Sequence, residues 1–483
     1  MTSLLFLAPI LAGLLALIVP WRPAVAWIGA GSSAVVLGLG ITLAARVEAS
    51  GPIGTGVLRI DALSAFLVIV IGAVSLLATT YSVRYLAEEV ASGEATRRHA
   101  AVYSALVQGF ITAMLLAVSA NNIGVLWVAI EATTVVTTFL VGHHRSRRAL
   151  EASWKYIVIC SVGIAIAFLG TVVLYLAGVH AHVANPLDFT TLSAHAALLN
   201  VPVVRLAFTL LVLGYGTKAG LVPLFSWLPD AHGEAPAPVS ALMSGVLLSV
   251  ALSAILRLRV IAVGALGPTF PRVLLLCVGL VTLGVAASML LAQRDLKRLL
   301  AYSTMEHMGV MTVGAAVGGP LALSGVLLHI LGHGLVKAVL FLDAGEVIRL
   351  EGTTKLAALR GLLARRRVVG TVFALGLAGL LGLPPFSIFL SELTMLRAEA
   401  GAGLWWAAGL VLAALAVVLA AILNHARSLL LGPPSSSSAS ASAAATPASF
   451  AIPVALALGA AVWIGVVAWP LSHLITLAAR VVA

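Results

Sequence analysis

Charge is scarce in this chain. Only 9% of its 483 residues are Asp, Glu, Lys or Arg, against roughly 25% in an ordinary soluble domain, and no long polar block interrupts the sequence. A soluble globular protein is thereby excluded. Cysteine is nearly absent: Cys160 and Cys277 stand singly inside apolar stretches, so there is no CxxC, no iron–sulfur framework and no zinc-ligand spacing. Any redox chemistry belongs to another chain, and no cofactor or metal is expected on this one. With no nucleotide loop, metal-ligand set or thiolate nucleophile, the chain is not expected to be a catalyst in its own right. Acidic residues are fewer than basic ones, leaving a net charge of +11. The Lys and Arg fall in short clusters between apolar runs, as in cytoplasmic membrane loops, which sets nucleic-acid binding aside.

What the chain has in abundance is apolar sequence, 61% of its residues. It divides into about fourteen runs of roughly 17–25 residues, each long enough to cross ~30 Å of hydrocarbon as a helix. The expected fold is an all-α polytopic membrane protein in a bacterial or archaeal plasma membrane. Met1 to Pro20 lacks a basic n-region and a small-residue cleavage site, so it reads as the first span and not as a secretory signal. If spans alternate, eighteen of the 28 Lys and Arg fall on one side and eight on the other, with Lys218 and Lys337 inside spans. The basic side is cytoplasmic by the positive-inside rule, which places both termini outside.

Two segments look alike: Gly220-Leu-Val-Pro-Leu-Phe-Ser in the seventh run and Gly382-Leu-Pro-Pro-Phe-Ser in the twelfth. Proline in or at the end of an apolar run predicts a broken helix with freed carbonyls. Breaks five spans apart point to two five-helix repeats, the second inverted. The expected organisation is three N-terminal helices over 1–100, repeats over 101–263 and 264–426, a Pro/Ser/Ala-rich flexible linker over 427–448 and a last helix over 449–483.

Ionisable residues inside such runs are costly and mark ion pathways. Glu131 lies mid-span, and Lys218 just precedes the first break; they could equally form a static ion pair. His329, His333 and Lys337 follow at i, i+4 and i+8, so they share one face along ~12 Å of helix. Imidazole accepts at one nitrogen and donates at the other, which suits a relay. Glu392 follows the second break and would terminate the line. Asp230, His232 and Glu234, between the seventh and eighth spans, could take up protons or simply solvate two helix ends. Glu306 and His307 are possible accessory relay members, with Asp295 and Lys297 structural. Arg84, Glu88 and Glu89 read as a solvated helix end.

The stretches Trp-Val-Ala-Ile-Glu131, Gly-Thr-Lys218-Ala-Gly, Leu228-Pro-Asp-Ala-His, Asp295-Leu-Lys-Arg-Leu-Leu-Ala-Tyr-Ser and His329-x-x-x-His333-x-x-x-Lys337 together resemble the antiporter-like membrane subunits. That family comprises the proton-pumping subunits of respiratory complex I, Mrp cation/proton antiporters and membrane-bound hydrogenases. The resemblance runs from about Tyr81 to Arg397. Within it, Glu306-His307-Met-Gly, Glu151-Ala-Ser-Trp-Lys-Tyr and Ala235-Pro-Ala-Pro-Val-Ser-Ala-Leu-Met-Ser-Gly look most like the F component of hydrogenase-4, a complex of the formate hydrogenlyase type.

The resemblance implies fourteen helices with inverted five-helix repeats, and Glu131 and Lys218 as the modulating pair of a first half-channel. His329, His333, Lys337 and Glu392 then lie along the central axis and second half-channel. It also implies other antiporter-like subunits and a soluble redox module as partners, such as a nickel–iron hydrogenase. One departure stands out: relatives in complex I often carry Lys or His in the eighth helix where this chain has Ser249. The expected function is proton translocation, with exchange against sodium left open, driven by a redox partner. Glu131 would stabilise protonated Lys218, and withdrawing that carboxylate would release the proton toward the histidines. Three alternatives stay open: an Mrp-type Na⁺/H⁺ antiporter subunit, the membrane subunit of an inorganic-carbon uptake complex, and a non-conducting anchor for a redox enzyme, which Ser249 favours.

Overall fold

The computed structural model describes residues 2–54, 56–433, 448–467 and 469–483. Among these residues twenty α-helices follow one another, and only isolated bridges represent β structure. The first six are α1 (Thr2–Ile18), α2 (Pro23–Ser50), α3 (Ala62–Ser92), α4 (Arg97–Ser119), α5 (Ile123–Val141) and α6 (Arg147–His180). A short α7 (Phe189–Ala194) leads to α8 (Val201–Lys218) and α9 (Trp227–Glu234). Helix α10 (Ala237–Leu242) passes through one π turn into α11 (Leu248–Leu266), followed by α12 (Thr269–Leu291), α13 (Leu296–Val317) and the long α14 (Gly319–Glu351). The chain closes with α15 (Leu362–Arg365), α16 (Arg367–Leu380), α17 (Ser387–Gly401), α18 (Trp405–Leu431), α19 (Ala448–Val466) and α20 (Trp469–Val481).

Among the described residues ten helices, counting α10–α11 as one, are long and apolar enough to cross a membrane. This is a multi-pass membrane protein. Helix α13 falls outside that set because Tyr302, Ser303, Thr304, Glu306 and His307 lower its hydropathy, yet its side chains are nearly all buried. Helix α14 is the hub: α3, α10, α13, α16, α17, α19 and α20 all pack against it. Surrounded on every side, it needs no polar face, and its apolar residues run all the way round. Polar side chains on it therefore point into protein, and His329, His333, Lys337 and Asp343 are completely buried.

Both proline-containing segments do interrupt helices, and by the same device. After α8, Gly220 takes φ +74°, the Leu221 N–H bonds the Gly216 carbonyl at 2.8 Å and the Gly220 N–H bonds that of Thr217 at 3.2 Å. After α16, Gly382 takes φ +60°, with Leu383 N–H on Ala378 O at 3.0 Å and Gly382 N–H on Gly379 O at 3.2 Å. These are Schellman caps, in which glycine supplies the left-handed residue and a following proline prevents the helix from resuming. Lys218 thus ends α8, where a cation meets the negative end of the helix dipole.

Asp61 fastens the N-terminal helices to the core. It caps α3 through Ser64 N–H at 2.9 Å and accepts two bonds from Arg257 on α11, at 2.8 and 2.9 Å. Burial alone would raise its carboxyl, but the Arg257 guanidinium and the cap bonds outweigh that and hold it below the usual 3.8.

Three sequence expectations need correction or placement. The last apolar run is two helices and not one, α19 ending at Val466 and α20 starting at Trp469. Glu89 is not a solvated residue: it is buried and accepts from His143 at 2.9 Å. Helix α18 extends to Leu431, and residues 434–447, most of the expected linker, lie outside the described residues.

Candidate functional site

The stripe on α14 meets α13 face to face. Nδ1 of His307 lies 3.0 Å from Nε2 of His329, and Nδ1 of His329 lies 2.9 Å from the Ser391 hydroxyl on α17. Ser391 donates its own proton to the Ile388 carbonyl at 2.7 Å. Having one proton to give, Ser391 accepts from His329, which fixes the tautomer: Nδ1 of His329 carries the hydrogen and Nε2 offers its lone pair to His307. His333 completes a triangle of rings, its centroid 5.1 Å from that of His307 and 6.2 Å from that of His329. Neither of its ring nitrogens has a protein partner.

Lys337, one turn beyond His333 on α14, donates to the Leu300 carbonyl at 2.8 Å and to the Ser303 hydroxyl, both on α13. Glu306 is buried with Oε1 unpartnered, and its Oε2 faces Nε2 of His307 at 3.5 Å. Glu392 joins this group: one ligand atom each from His307, His329 and Glu392 lies within 4.8 Å of the others. A cavity of about 200 Å³, bounded by Glu306, His307, Glu392 and leucines of α18, opens beside them. The structure therefore gathers His307, His329, His333, Lys337, Glu306 and Glu392 into one cluster.

Asp230 and Glu234 lie instead in an open vestibule of about 580 Å³ with Arg148, Lys155, Asp295 and Arg298. Asp230 binds Lys155 at 3.2 Å and Arg298 at 2.5 Å. Between vestibule and cluster, His232 is fully buried, with neither ring nitrogen partnered, and stacks on Phe341 at 5.1 Å, one turn from Lys337. Lys297 donates to the Ala235 carbonyl at 2.5 Å just past the end of α9, a capping role in line with its structural reading.

Lys218 and Glu131 stay apart. Nζ of Lys218 donates to Tyr156 at 2.5 Å and Thr134 at 3.0 Å, while Glu131 binds Ser161 at 3.3 Å and leaves Oε2 without a partner. Thr134 is three residues beyond Glu131, so the carboxylate is a neighbour on the same helix face and not a direct partner of the lysine. Helix α11 packs against both α8 and α13, and on it Ser249 is buried with an unpartnered hydroxyl.

Residues 120–419, which hold every residue of these clusters, match the family described as NADH:quinone oxidoreductase/Mrp antiporter, TM. The chain belongs to this family. It is 38% identical to a hydrogenase-4 component F homolog of Methylacidiphilum infernorum (isolate V4), over 70% of this chain and 71% of that one. It is 32% identical to NADH-quinone oxidoreductase subunit N of Desulforudis audaxviator (strain MP104C), over 72% and 67% of the two chains. Its fold matches a chain of the membrane-bound sulfane sulfur reductase, an archaeal respiratory membrane complex, with TM-score 0.88, 23% identity and coverage of 100% and 97%.

In this antiporter-family chain, several site residues escape a reading based on charge. Tyr156 stands in the Glu151-Ala-Ser-Trp-Lys-Tyr stretch but, being neutral, draws attention only once Lys218 is seen to bind it. Thr134 and Ser391 are equally silent, although each lies within three residues of a half-buried carboxylate, Glu131 or Glu392. Asp343, fully buried on α14 with both oxygens unpartnered, carries the signal of an acid inside an apolar run, next to the more conspicuous histidine stripe.

Proposed function

We propose that this chain is a proton-translocating membrane subunit of a redox-driven complex of the hydrogenase-4 or complex I kind. The observation that carries this reading is the row of titratable side chains that runs from the open vestibule at Asp230 and Glu234, through the buried His232, Lys337, His333, His307 and His329, to the half-buried Glu392 and its cavity. Buried polar atoms need partners. The unpartnered nitrogens of His232 and His333 and the free oxygen of Glu306 are groups that water satisfies, and water is what carries protons between them.

Glu131 and Lys218 form the switch of the first half of the pathway. Lys218 holds its proton through Tyr156 and Thr134, and movement of α5 brings Glu131 closer or takes it away. The proton then crosses α11 by way of water at Ser249, because serine cannot itself change charge. Direction comes from a redox partner, for which a nickel–iron hydrogenase module is one candidate, and from sister antiporter-like subunits.

The architecture behind this reading is fourteen crossings: the ten long helices, with α1, α13, the broken pair α16–α17 and α19, and with α9 completing the crossing begun by α8. Helices α4 to α11 and α12 to α18 form inverted five-crossing repeats. In support, the two breaks share one capping motif, and the second and fourth crossings of each unit each carry a charged residue, Glu131 with Lys218 and Glu306 with Glu392. The domains follow as 1–100, 101–263, 264–426, a linker and the C-terminal segment, with both termini on the outer face of the plasma membrane.

The test is redox-driven acidification in vesicles holding the whole complex. Lys218→Ala and His333→Ala should each abolish it while the complex remains assembled. Undiminished pumping in both variants rules the assignment out, and proton flux that requires sodium and no redox partner replaces it with antiport.

A further inference from the structure

We propose that His307, His329 and Glu392 form a binding site for a borderline transition-metal cation of the Zn²⁺ class, and that its occupation severs the histidine relay. The site is assembled from three helices that approach from different sides: His307 from α13, His329 from α14 and Glu392 from α17. One ligand atom from each lies within 4.8 Å of the others. The two imidazoles already face nitrogen to nitrogen at 3.0 Å. Two nitrogens on a tetrahedral zinc, each about 2.05 Å from the metal, stand roughly 3.3 Å apart, so a small parting of the rings replaces their hydrogen bond with a shared cation.

The outer partners suit the same arrangement. A metal-bound histidine ordinarily donates its second N–H to a carboxylate or another acceptor, which orients the ring. His329 does so to Ser391 at 2.9 Å, leaving Nε2 as a lone pair. His307 turns its far nitrogen toward Glu306 Oε2 at 3.5 Å. When the metal binds, the proton that His307 carries on Nδ1 moves to Nε2, which faces that carboxylate, and Nδ1 becomes the second lone pair. Glu392 supplies an oxygen, and the adjoining cavity of about 200 Å³ has room for a water as fourth ligand. Two carboxylates against one dication leave the buried assembly neutral, where a dication alone would be expelled. Imidazole donors select zinc, copper or nickel, whereas Mg²⁺ and Ca²⁺ demand oxygen ligands.

His333 lies outside the set although it belongs to the relay. Metal binding and proton conduction therefore depend on overlapping but different residues. The effect on flux rests on the relay reading above; the existence of the site does not.

The experiment is equilibrium dialysis of the purified full-length chain in detergent against micromolar free Zn²⁺, with metal content measured per chain and Mg²⁺ as control. Wild type should hold one equivalent more zinc than His307→Gln or Glu392→Gln, while His333→Gln retains it within about twofold. Glu306→Gln should weaken binding about 10- to 100-fold, as loss of an outer partner does. Equal zinc content in wild type, His307→Gln and Glu392→Gln overturns the site. Co²⁺ provides a readout that needs no variant: a four-coordinate nitrogen/oxygen site gives intense visible absorption, and a weak octahedral spectrum counts against it. If His307→Gln loses zinc but pumps normally, the relay reading fails and the metal site stands.

Discussion

The hydroxyl of Tyr156 lies 2.5 Å from Nζ of Lys218. The same oxygen lies 2.5 Å from the Thr137 hydroxyl, and the Lys218 ammonium also rides 4.7 Å from the Tyr156 ring centroid. A neutral ring and two hydroxyls thus solvate the buried cation at the first break. A neutral cradle leaves the lysine sensitive to whatever charge approaches from outside it, which is what a switched proton carrier requires.

Tyr156→Phe removes one of the two side-chain acceptors of Lys218 and leaves the packing volume almost unchanged. A hydrogen bond to a charged group contributes about 1.5–3 kcal/mol, equivalent to roughly 10-fold or more in a rate that depends on it. Redox-driven acidification in vesicles should fall by about that factor with the complex intact. Full activity in Tyr156→Phe removes Tyr156 from the pathway.

His333→Gln tests the relay without creating a cavity. Glutamine can bond at both ends, but its amide does not take up a proton at one atom and release it from another as imidazole does. Flux should drop to background, while elution volume and thermal midpoint stay near wild type. Retained flux would mean that protons bypass the stripe.

Much of this arrangement could be read before any coordinates. His329, His333 and Lys337 announce themselves because helical spacing alone puts them on one face, and lipid tolerates such residues only for cause. The two breaks were legible because glycine and proline act on the backbone locally. Position in space was not: Glu306 and His307 looked peripheral because spacing within α13 says nothing about α14 beside it. The distance between Glu131 and Lys218 depends on how α5, α6 and α8 pack, and Tyr156 carries no charge to betray it. Glu89 shows the opposite failure, since a run of charges at a helix end gives no sign that His143 folds over one of them.

Asp230 sits at the mouth of the vestibule with partly exposed partners, Lys155 and Arg298. Exposed pairs of this kind contribute about 0–1 kcal/mol, so Asp230→Asn should leave the thermal midpoint almost unmoved. Its effect belongs to proton capture, because a carboxylate at a funnel entrance raises the local proton concentration. Pumping should slow several-fold at alkaline pH and match wild type at acidic pH, where protons are plentiful. Equal rates across the pH range would leave Asp230 a surface bridge.

Asp61 and Arg257 offer a prediction about stability alone. Both side chains are buried, and their paired bonds tie the start of α3 to α11. Asp61→Asn leaves a guanidinium buried against a neutral amide, and breaking a buried pair on one side costs about 3–5 kcal/mol. The double variant Asp61→Leu with Arg257→Met removes both charges and should recover most of that loss, because no unpaired ion remains. Acidity gives an independent check. The folded-state carboxyl lies below 3.8, so its contribution is fully present above that value and is lost as pH falls through the lowered folded value. Thermal unfolding in detergent should accordingly show the gap between wild type and Asp61→Asn constant at neutral pH and closing below about pH 3.8. Asparagine keeps the cap at Ser64, so a gap that persists unchanged into acid would remove the ion pair from the account.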